Sequence, residues 1–309
     1  MNAELIGLPW LITEPAFRDL EAKSRNPDYI RMEMGFCDQF LLSQNDYPPY
    51  DVYGSVAVIT CHGGFTKRSS WWSYRFTGDR VHFAITHAIQ NPSITSIVLD
   101  IDSPGGTVSG TKELADFIFA ARSDKRIIAI ANDMACSSAL WIGSSASEFV
   151  TTDSAFVGSL GVLWARMDWT KMNEKIGIKV HLFGSGEAKT WGWPDTEMSD
   201  SEKADKLATI ETLANQFIEG MARNRGVTPA EARSQWASAR TWIGQDAVSV
   251  GLCDRVSTLD KVVAELSGQQ TNVRERGNPN GEESTKPSGS ISRQRGRGQC
   301  FRFIRTTRR

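Results

Sequence analysis

The sequence predicts an α/β layered fold with a largely parallel sheet and flanking helices. Three observations predict it: short β-branched apolar runs of strand length, helical periodicity between those runs, and glycine-rich turns where the runs end. This alternation favours parallel pairing, because parallel neighbours need a crossover connection that is usually a helix. Hydrophobic residues make up 40% of the 309 residues, which is enough to bury a sizeable core.

The predicted elements follow an N-terminal arm over residues 1–50, in which proline-interrupted apolar patches predict short helices at 17–23 and 29–42. The main domain is predicted over residues 51–267. Its predicted strands are residues 55–61, 94–101, 127–131, 148–152 and 178–183. Its predicted helices are residues 79–89, 109–121, 137–146, 199–225 and 229–237.

Charge separates the domain from the C-terminal end of the chain. The whole sequence carries 35 Lys/Arg and 36 Asp/Glu, which excludes a polycation built to bind nucleic acid. From residue 271 onward, however, ten Lys/Arg face three Asp/Glu. With little apolar surface to offset its ordering entropy, the tail over residues 268–309 is predicted to be disordered. A solvated flexible end is favoured for this tail over contact with nucleic acid.

Cysteine usage and the N-terminus indicate a cytosolic setting. The five cysteines include no CxxC pair, so neither a zinc site nor a disulfide framework is predicted, and their sparse, odd count suits a reducing compartment. Glu4 stands where a signal peptide carries positive charge, and no run reaches the 18 apolar residues of a spanning helix. The chain is therefore expected to be soluble, without membrane contact.

Two turns that follow predicted strands carry candidate chemistry. In residues 102–106 (DSPGG), Gly105 and Gly106 allow backbone N–H groups to point into a cleft, although a plain tight turn explains them equally well. In residues 134–139 (MACSSA), Ser137 lies at a helix N-terminus, where backbone dipoles favour negative charge. A simple capping serine is the competing interpretation. Cys136 is an alternative nucleophile, but a small buried cysteine is the simpler interpretation.

Lys189 is the candidate base. It lies in residues 184–189 (GSGEAK) and is followed by Trp191 and Trp193. Most lysines are solvated surface groups, but enclosure by apolar rings lowers the pKa of a lysine and lets its neutral amine act as a general base. None of the four histidines is predicted in a loop beside Ser137. A Ser-His-Asp triad stays an alternative, and a serine–lysine dyad fits the residues better.

The segments described so far, 103–106 (SPGG), 135–139 (ACSSA) and 184–189, are joined by 158–162 (GSLGV), 241–247 (TWIGQDA) and 251–254 (GLCD). In this order, the segments resemble the serine–lysine peptidases of the signal peptide peptidase A family, which share the fold of the caseinolytic protease and of crotonase. The resemblance spans about residues 55–266, and the phage head maturation proteases of the minor capsid protein C type are the most similar branch. Ser138 and Ala139 stand where the family has two glycines, which makes Ser138 an alternative nucleophile.

The resemblance implies a mechanism and partners. Ser137 would be the nucleophile and Lys189 the general base, while the backbone N–H groups of Gly106 or Gly105 and of Ser138 would form the oxyanion hole. No metal or organic cofactor is implied. The implied assembly is a homo-oligomeric ring that cleaves protein substrates such as capsid, portal or scaffold proteins, in host cytoplasm or procapsid. The alternatives are a cytosolic peptide-degrading peptidase of the same family, a crotonase-type acyl-CoA enzyme, and a non-catalytic capsid or scaffold component.

Overall fold

The architecture comes from a computed structural model that describes residues 10–12, 48–69 and 76–268, with the backbone alone for residues 10–12. The helices predicted at 17–23 and 29–42 and the tail from residue 269 lie outside the described residues. The strands are β1 (Trp10–Ile12), β2 (Asp51–Tyr53), β3 (Val56–His62), β4 (Ser96–Ser103), β5 (Gly105–Thr107), β6 (Arg126–Cys136), β7 (Glu148–Thr151), β8 (Phe156–Gly158), β9 (Thr241–Ile243) and β10 (Arg255–Val256).

Helices alternate with the strands along most of the chain. They are α1 (Gly78–Gln90), α2 (Thr111–Ala121), α3 (Ser138–Ser144), α4 (Thr170–Ile176), α5 (Asp200–Arg225), α6 (Pro229–Trp236), α7 (Gln245–Ser249) and α8 (Leu259–Ser267), with a short 3₁₀ helix at Glu187–Thr190. No helix in the described ranges is both long and apolar enough to cross a membrane.

The main sheet has the order β10-β7-β6-β4-β3-β2, with β8 paired to β6 and β9 paired to β8. The neighbours from β10 to β3 are parallel, and β8 is also parallel to β6, whereas β2 and β9 are antiparallel to their partners. The predicted α/β fold with a largely parallel sheet is therefore confirmed. The carboxyl ends of β3, β4 and β6 meet at one edge, which is where sites form in open sheets of this kind.

The core is divided by the sheet, because successive strand residues point to opposite faces. On β4, Ile97 and Leu99 join the larger cluster, which is covered by α1, α2, α3 and α5, whereas Val98 joins a smaller cluster under α8. The larger cluster includes Ala135 near the end of β6 and Ala139 near the start of α3. Buried apolar residues therefore flank the turn between this strand and this helix.

The strand predicted over residues 178–183 is wrong. This segment has no regular secondary structure, and Ile178 and Phe183 are exposed, Phe183 by 95% of its surface. The alternating apolar residues gave a strand signal, but a strand forms only beside a partner that takes its backbone hydrogen bonds. Within the described part of a single protomer, this segment pairs with no strand.

Candidate active site

Ser137 sits in a strained turn between β6 and α3. Its backbone has φ 56° and ψ −118°, a combination that non-glycine residues adopt at a cost of about 1–3 kcal/mol and mostly at functional sites. The turn is held at both ends, because the Ser137 N–H donates to the Gly158 carbonyl at 2.8 Å and the Ser137 carbonyl accepts from the Trp141 N–H at 3.1 Å. These two hydrogen bonds hold the backbone of Ser137 in its strained conformation.

The hydroxyl of Ser137 is buried and unpaired. Ser137 is 1% exposed, and its Oγ has no hydrogen-bond partner among the described residues. A buried hydroxyl without a partner loses the hydrogen bonds it made to water, which costs about 1–3 kcal/mol. Backbone strain and an unsatisfied buried hydroxyl at the same residue are typical of functional sites.

Helix α3 anchors the turn in the core. All seven of its residues are buried, and the ring of Trp141 stacks on Phe217 of α5 with centroids 5.0 Å apart. Asn224 of α5 donates to Ser144 Oγ at 3.0 Å and to Ser145 Oγ at 2.9 Å. The helix that follows Ser137 is thereby fixed to the long helix α5.

The two neighbours of Ser137 differ in their chemical suitability as nucleophiles. Burial raises the pKa of the Cys136 thiol to about 12, so this side chain is a thiol and not a reactive thiolate near neutral pH. Ser138 Oγ is buried and, like Ser137 Oγ, lacks a partner among the described residues, so the alternative at Ser138 stays open. The backbone N–H of Ser138 begins α3 and has no partner within the helix.

Gly106 lies where a side chain would not fit. A Cβ on Gly106 would be 2.0 Å from the Phe65 carbonyl oxygen, so the approach of these two backbones requires glycine. Phe65 occupies one edge of β5, because its N–H donates to the Gly105 carbonyl at 2.8 Å and its carbonyl accepts from the Thr107 N–H at 2.9 Å. The N–H of Gly106 therefore faces the opposite edge.

That opposite edge lies on the side of Ser137. Strand β4 is between β3 and β6, and Phe65 follows β3, so the edge of β5 away from Phe65 is on the β6 side. Ser103 at the end of β4 is aligned with Ala135, two residues before Ser137. The N–H of Gly105 donates within the turn, to Ser103 Oγ at 3.2 Å.

The GSLGV segment lies directly beside the Ser137 turn. Gly158 accepts the Ser137 N–H and has φ 142°, and a Cβ there would be 2.4 Å from the Arg240 carbonyl oxygen. The Ser159 N–H donates to that same carbonyl at 2.7 Å, and β9 (Thr241–Ile243) pairs with β8. Two of the motifs singled out in the sequence, at 158–162 and 241–247, are thus parts of one structure that supports the turn.

Lys189 lies in an extension between β8 and α5, residues 163–199, which we term the Lys189 segment. The lysine is in the 3₁₀ helix Glu187–Thr190 and is exposed, and Trp193 is half exposed. The apolar enclosure predicted for Lys189 is not formed by the described residues of a single protomer. Because Ser137 Oγ has no hydrogen-bond partner there, neither Lys189 nor a histidine lies within hydrogen-bond distance of it.

Arg166 and Glu202 hold the Lys189 segment to α5, a role that the sequence analysis missed. The Arg166 guanidinium lies 3.3 Å from the Glu202 carboxylate, and both side chains are nearly buried. Glu202 also accepts the Gly192 N–H at 2.8 Å, while Arg166 donates to the carbonyl oxygens of Trp193 and Thr196. Both ends of this ion pair therefore bind the backbone a few residues beyond Lys189.

Neither a histidine partner for Ser137 nor a metal site is found among the described residues. His62 Nε2 is 3.1 Å from Asp100 Oδ2, and Asn132 donates to the other oxygen of Asp100 at 3.0 Å. His181 is exposed in the Lys189 segment. Across residues 48–69 and 76–268, no group of three or more His, Cys, Asp and Glu side chains is arranged to hold a metal ion.

Comparison with known proteins gives a family match and curated relatives. The sequence profile of "Peptidase family S49" matches residues 120–274, which is half of the chain. Capsid assembly protease C of Escherichia phage lambda is 29% identical over 210 residues, which are 67% of this chain and 47% of the relative. Head-tail preconnector protein GP5 of Enterobacteria phage P21 is 26% identical over 230 residues, covering 73% of this chain and 45% of the relative.

A bacterial protease is similar over a comparable length of the chain. Protease 4 of Salmonella typhi is 29% identical over 231 residues, which are 73% of this chain and 37% of the relative. The chain thus spans less than half the length of each of these three relatives. The family profile match covers the turns at Ser137 and Gly158 and the Lys189 segment.

Proposed function

The chain belongs to peptidase family S49, and from this premise we propose that it is a serine endopeptidase with Ser137 as nucleophile and Lys189 as general base. The observation that carries the proposal concerns Ser137, at the carboxyl edge of a parallel sheet: its backbone is strained, and its buried hydroxyl has no hydrogen-bond partner among the described residues. A structural N-cap serine would use its hydroxyl to accept a helix N–H, and Ser137 makes no such bond.

The proposed chemistry is acyl transfer. Ser137 Oγ attacks a peptide carbonyl carbon while the neutral amine of Lys189 takes the hydroxyl proton, and the leaving amine then receives that proton. Water hydrolyses the acyl-enzyme with Lys189 again as base. The backbone N–H groups of Gly106 and Ser138 stabilise the oxyanion, and removal of one such donor typically costs about 100- to 1,000-fold in rate. Gly105 is the weaker candidate because its N–H bonds within the turn to Ser103, whereas the Gly106 N–H faces the β5 edge on the side of Ser137.

In the proposed mechanism, Lys189 is buried and becomes a neutral base only in a homo-oligomer. Several large apolar side chains of the Lys189 segment are exposed in the protomer, among them Ile176, Ile178, Phe183 and Trp193. Large exposed apolar side chains concentrated in one segment favour a protein interface there. A second copy packed against this surface would exclude water from Lys189, lower the pKa of its amine and bring the segment toward a Ser137.

The proposed substrates are inferred from the names of two relatives. Two of them are named as a capsid assembly protease and a head-tail preconnector protein, so we place this chain in phage head maturation, acting on capsid, portal or scaffold proteins in the host cytoplasm or the procapsid. Mass spectrometry of heads assembled with the wild-type chain or with Ser137→Ala tests this assignment. One of those proteins is expected to be shortened only with the wild-type chain, and identical masses in both preparations would contradict it.

The catalytic assignment is tested by paired alanine variants of the adjacent serines. Ser137→Ala should abolish hydrolysis of fluorescent casein, whereas Ser138→Ala should retain most activity, since it keeps the backbone N–H assigned to the oxyanion hole. Circular dichroism of both variants checks that the fold is intact. An active Ser137→Ala with an inactive Ser138→Ala would move the nucleophile by one residue, and two fully active variants would refute a serine mechanism.

A further inference from the structure

Strand β1 occupies the edge of β5 that faces the Ser137 side. Trp10–Ile12 runs antiparallel to β5, with Leu11 opposite Gly106 and Ile12 opposite Gly105. Phe65 already takes the N–H of Thr107 and the carbonyl of Gly105 on the other edge. The bonds left for β1 are therefore the N–H and the carbonyl of Gly106, and in an antiparallel pair these are exchanged with the residue directly opposite.

This pairing places a peptide carbonyl on the candidate oxyanion donor. The residue opposite Gly106 is Leu11, so its carbonyl is the acceptor for the Gly106 N–H. An extended chain that adds to a free strand edge through its main chain is a common mode of peptide recognition. The residues on this edge are the two glycines of the SPGG turn, and α3 with its preceding Ser137 packs beside β5.

We propose that the N-terminal segment around Trp10–Ile12 is an intramolecular ligand of the peptide-binding edge of β5, bound as a substrate main chain would be, so that a substrate must displace it. The inference rests on the proposed function for the identity of the site. It goes beyond that function in naming the occupant, the register and the consequence: the free edge exists only in the fraction of molecules from which β1 has detached.

The size of the effect is set by the fraction of molecules in which β1 is paired with β5. Three residues held through two backbone hydrogen bonds form a weak pairing, so we expect the paired and detached forms to be populated about equally. Because apparent affinity falls in proportion to the competent fraction, the KM for an extended substrate should be about twofold higher than in a chain without this pairing.

Two proline variants separate the pairing from other effects of the segment. Leu11→Pro removes the N–H that faces Gly106, whereas the N–H of Ile12 faces away from β5, so Ile12→Pro is the matched control with the same ring chemistry. Leu11→Pro should lower the KM for fluorescent casein about twofold relative to Ile12→Pro. The turnover of p-nitrophenyl acetate, an ester too small to span the edge, should be equal in both variants.

A readout independent of activity is hydrogen exchange at Gly106. Its amide should exchange faster in Leu11→Pro than in Ile12→Pro, and a synthetic peptide of residues 8–14 should restore protection and inhibit casein hydrolysis competitively. Equal KM and equal exchange in the two variants would overturn the proposal. So would a raised KM with reduced thermal stability in Leu11→Pro, because β1 would then be a structural strand. If the Gly106 amide exchanges faster in Leu11→Pro as expected, but Ser137→Ala still hydrolyses casein, the proposed function fails and the pairing of β1 with β5 stands.

Discussion

Glu202→Gln is expected to lower the free energy of unfolding by about 3 kcal/mol and to impair peptidase activity. The Glu202 side chain is 3% exposed and that of its partner Arg166 is 10% exposed. Loss of one member of a buried ion pair typically costs about 3–5 kcal/mol, because the remaining charge is left uncompensated. The amide of glutamine can still accept the Gly192 N–H, which places the expected cost at the lower end of that range.

The matched control lies on the same helix. Glu211 pairs with Arg233 at 3.2 Å, but these side chains are 61% and 50% exposed, so Glu211→Gln should cost no more than about 1 kcal/mol. Urea denaturation of both variants gives the two free energies, and hydrolysis of fluorescent casein gives the activities. If Glu202→Gln unfolds at the same urea concentration as Glu211→Gln, the ion pair does not hold the Lys189 segment and the reasoning is refuted.

Three further predictions concern Lys189, the C-terminal residues 271–309 and the stability of the protein at acidic pH. Lys189→Arg should be as inactive as Lys189→Ala in casein hydrolysis, because a guanidinium stays protonated and cannot accept the serine proton; substantial activity in the arginine variant would contradict the dyad. Deletion of residues 271–309 should leave the turnover of a small peptide unchanged, and size-exclusion chromatography that showed a smaller assembly would assign this tail a structural role. Burial raises the pKa of Asp254, but hydrogen bonds from Arg225 and from the Phe149 N–H outweigh it and hold the pKa below its ordinary value. Stability from this carboxylate is present above the unfolded pKa of about 4 and is lost as the pH falls through the lower folded pKa, so Asp254→Asn should show a smaller decline in unfolding free energy below about pH 4, and an unchanged decline would contradict this assignment.

The strands and helices around the Ser137 turn could be predicted from the sequence because their signals are local. The apolar run that became β4 and the periodic segment that became α1 each carry their own pattern, and both formed within a few residues of the predicted bounds. The segment 178–183 shows the limit of such patterns. Its alternation is that of a strand, but no described strand of the protomer lies beside it to pair with its backbone.

The contacts that position the site depend on residues far apart in sequence. Ser199 and Glu202 have the spacing of a helix capping box, in which the glutamate side chain reaches back to the N–H of the serine. Ser199 does accept the Glu202 N–H, but the carboxylate turns inward to Arg166, 36 residues earlier. The pairing of Trp10–Ile12 with Gly105–Thr107 spans a still longer separation, and no local pattern in either segment indicates it.

The most direct test of the central claim is the site of covalent modification by a fluorophosphonate, which reacts with activated serine hydroxyls. After incubation of the full chain, digestion and peptide mass spectrometry should find the phosphonate adduct on Ser137 in the wild-type chain and in Ser138→Ala, and no adduct in Ser137→Ala. An adduct on Ser138, or casein hydrolysis that persists in Ser137→Ala, would contradict the assignment of Ser137 as the nucleophile.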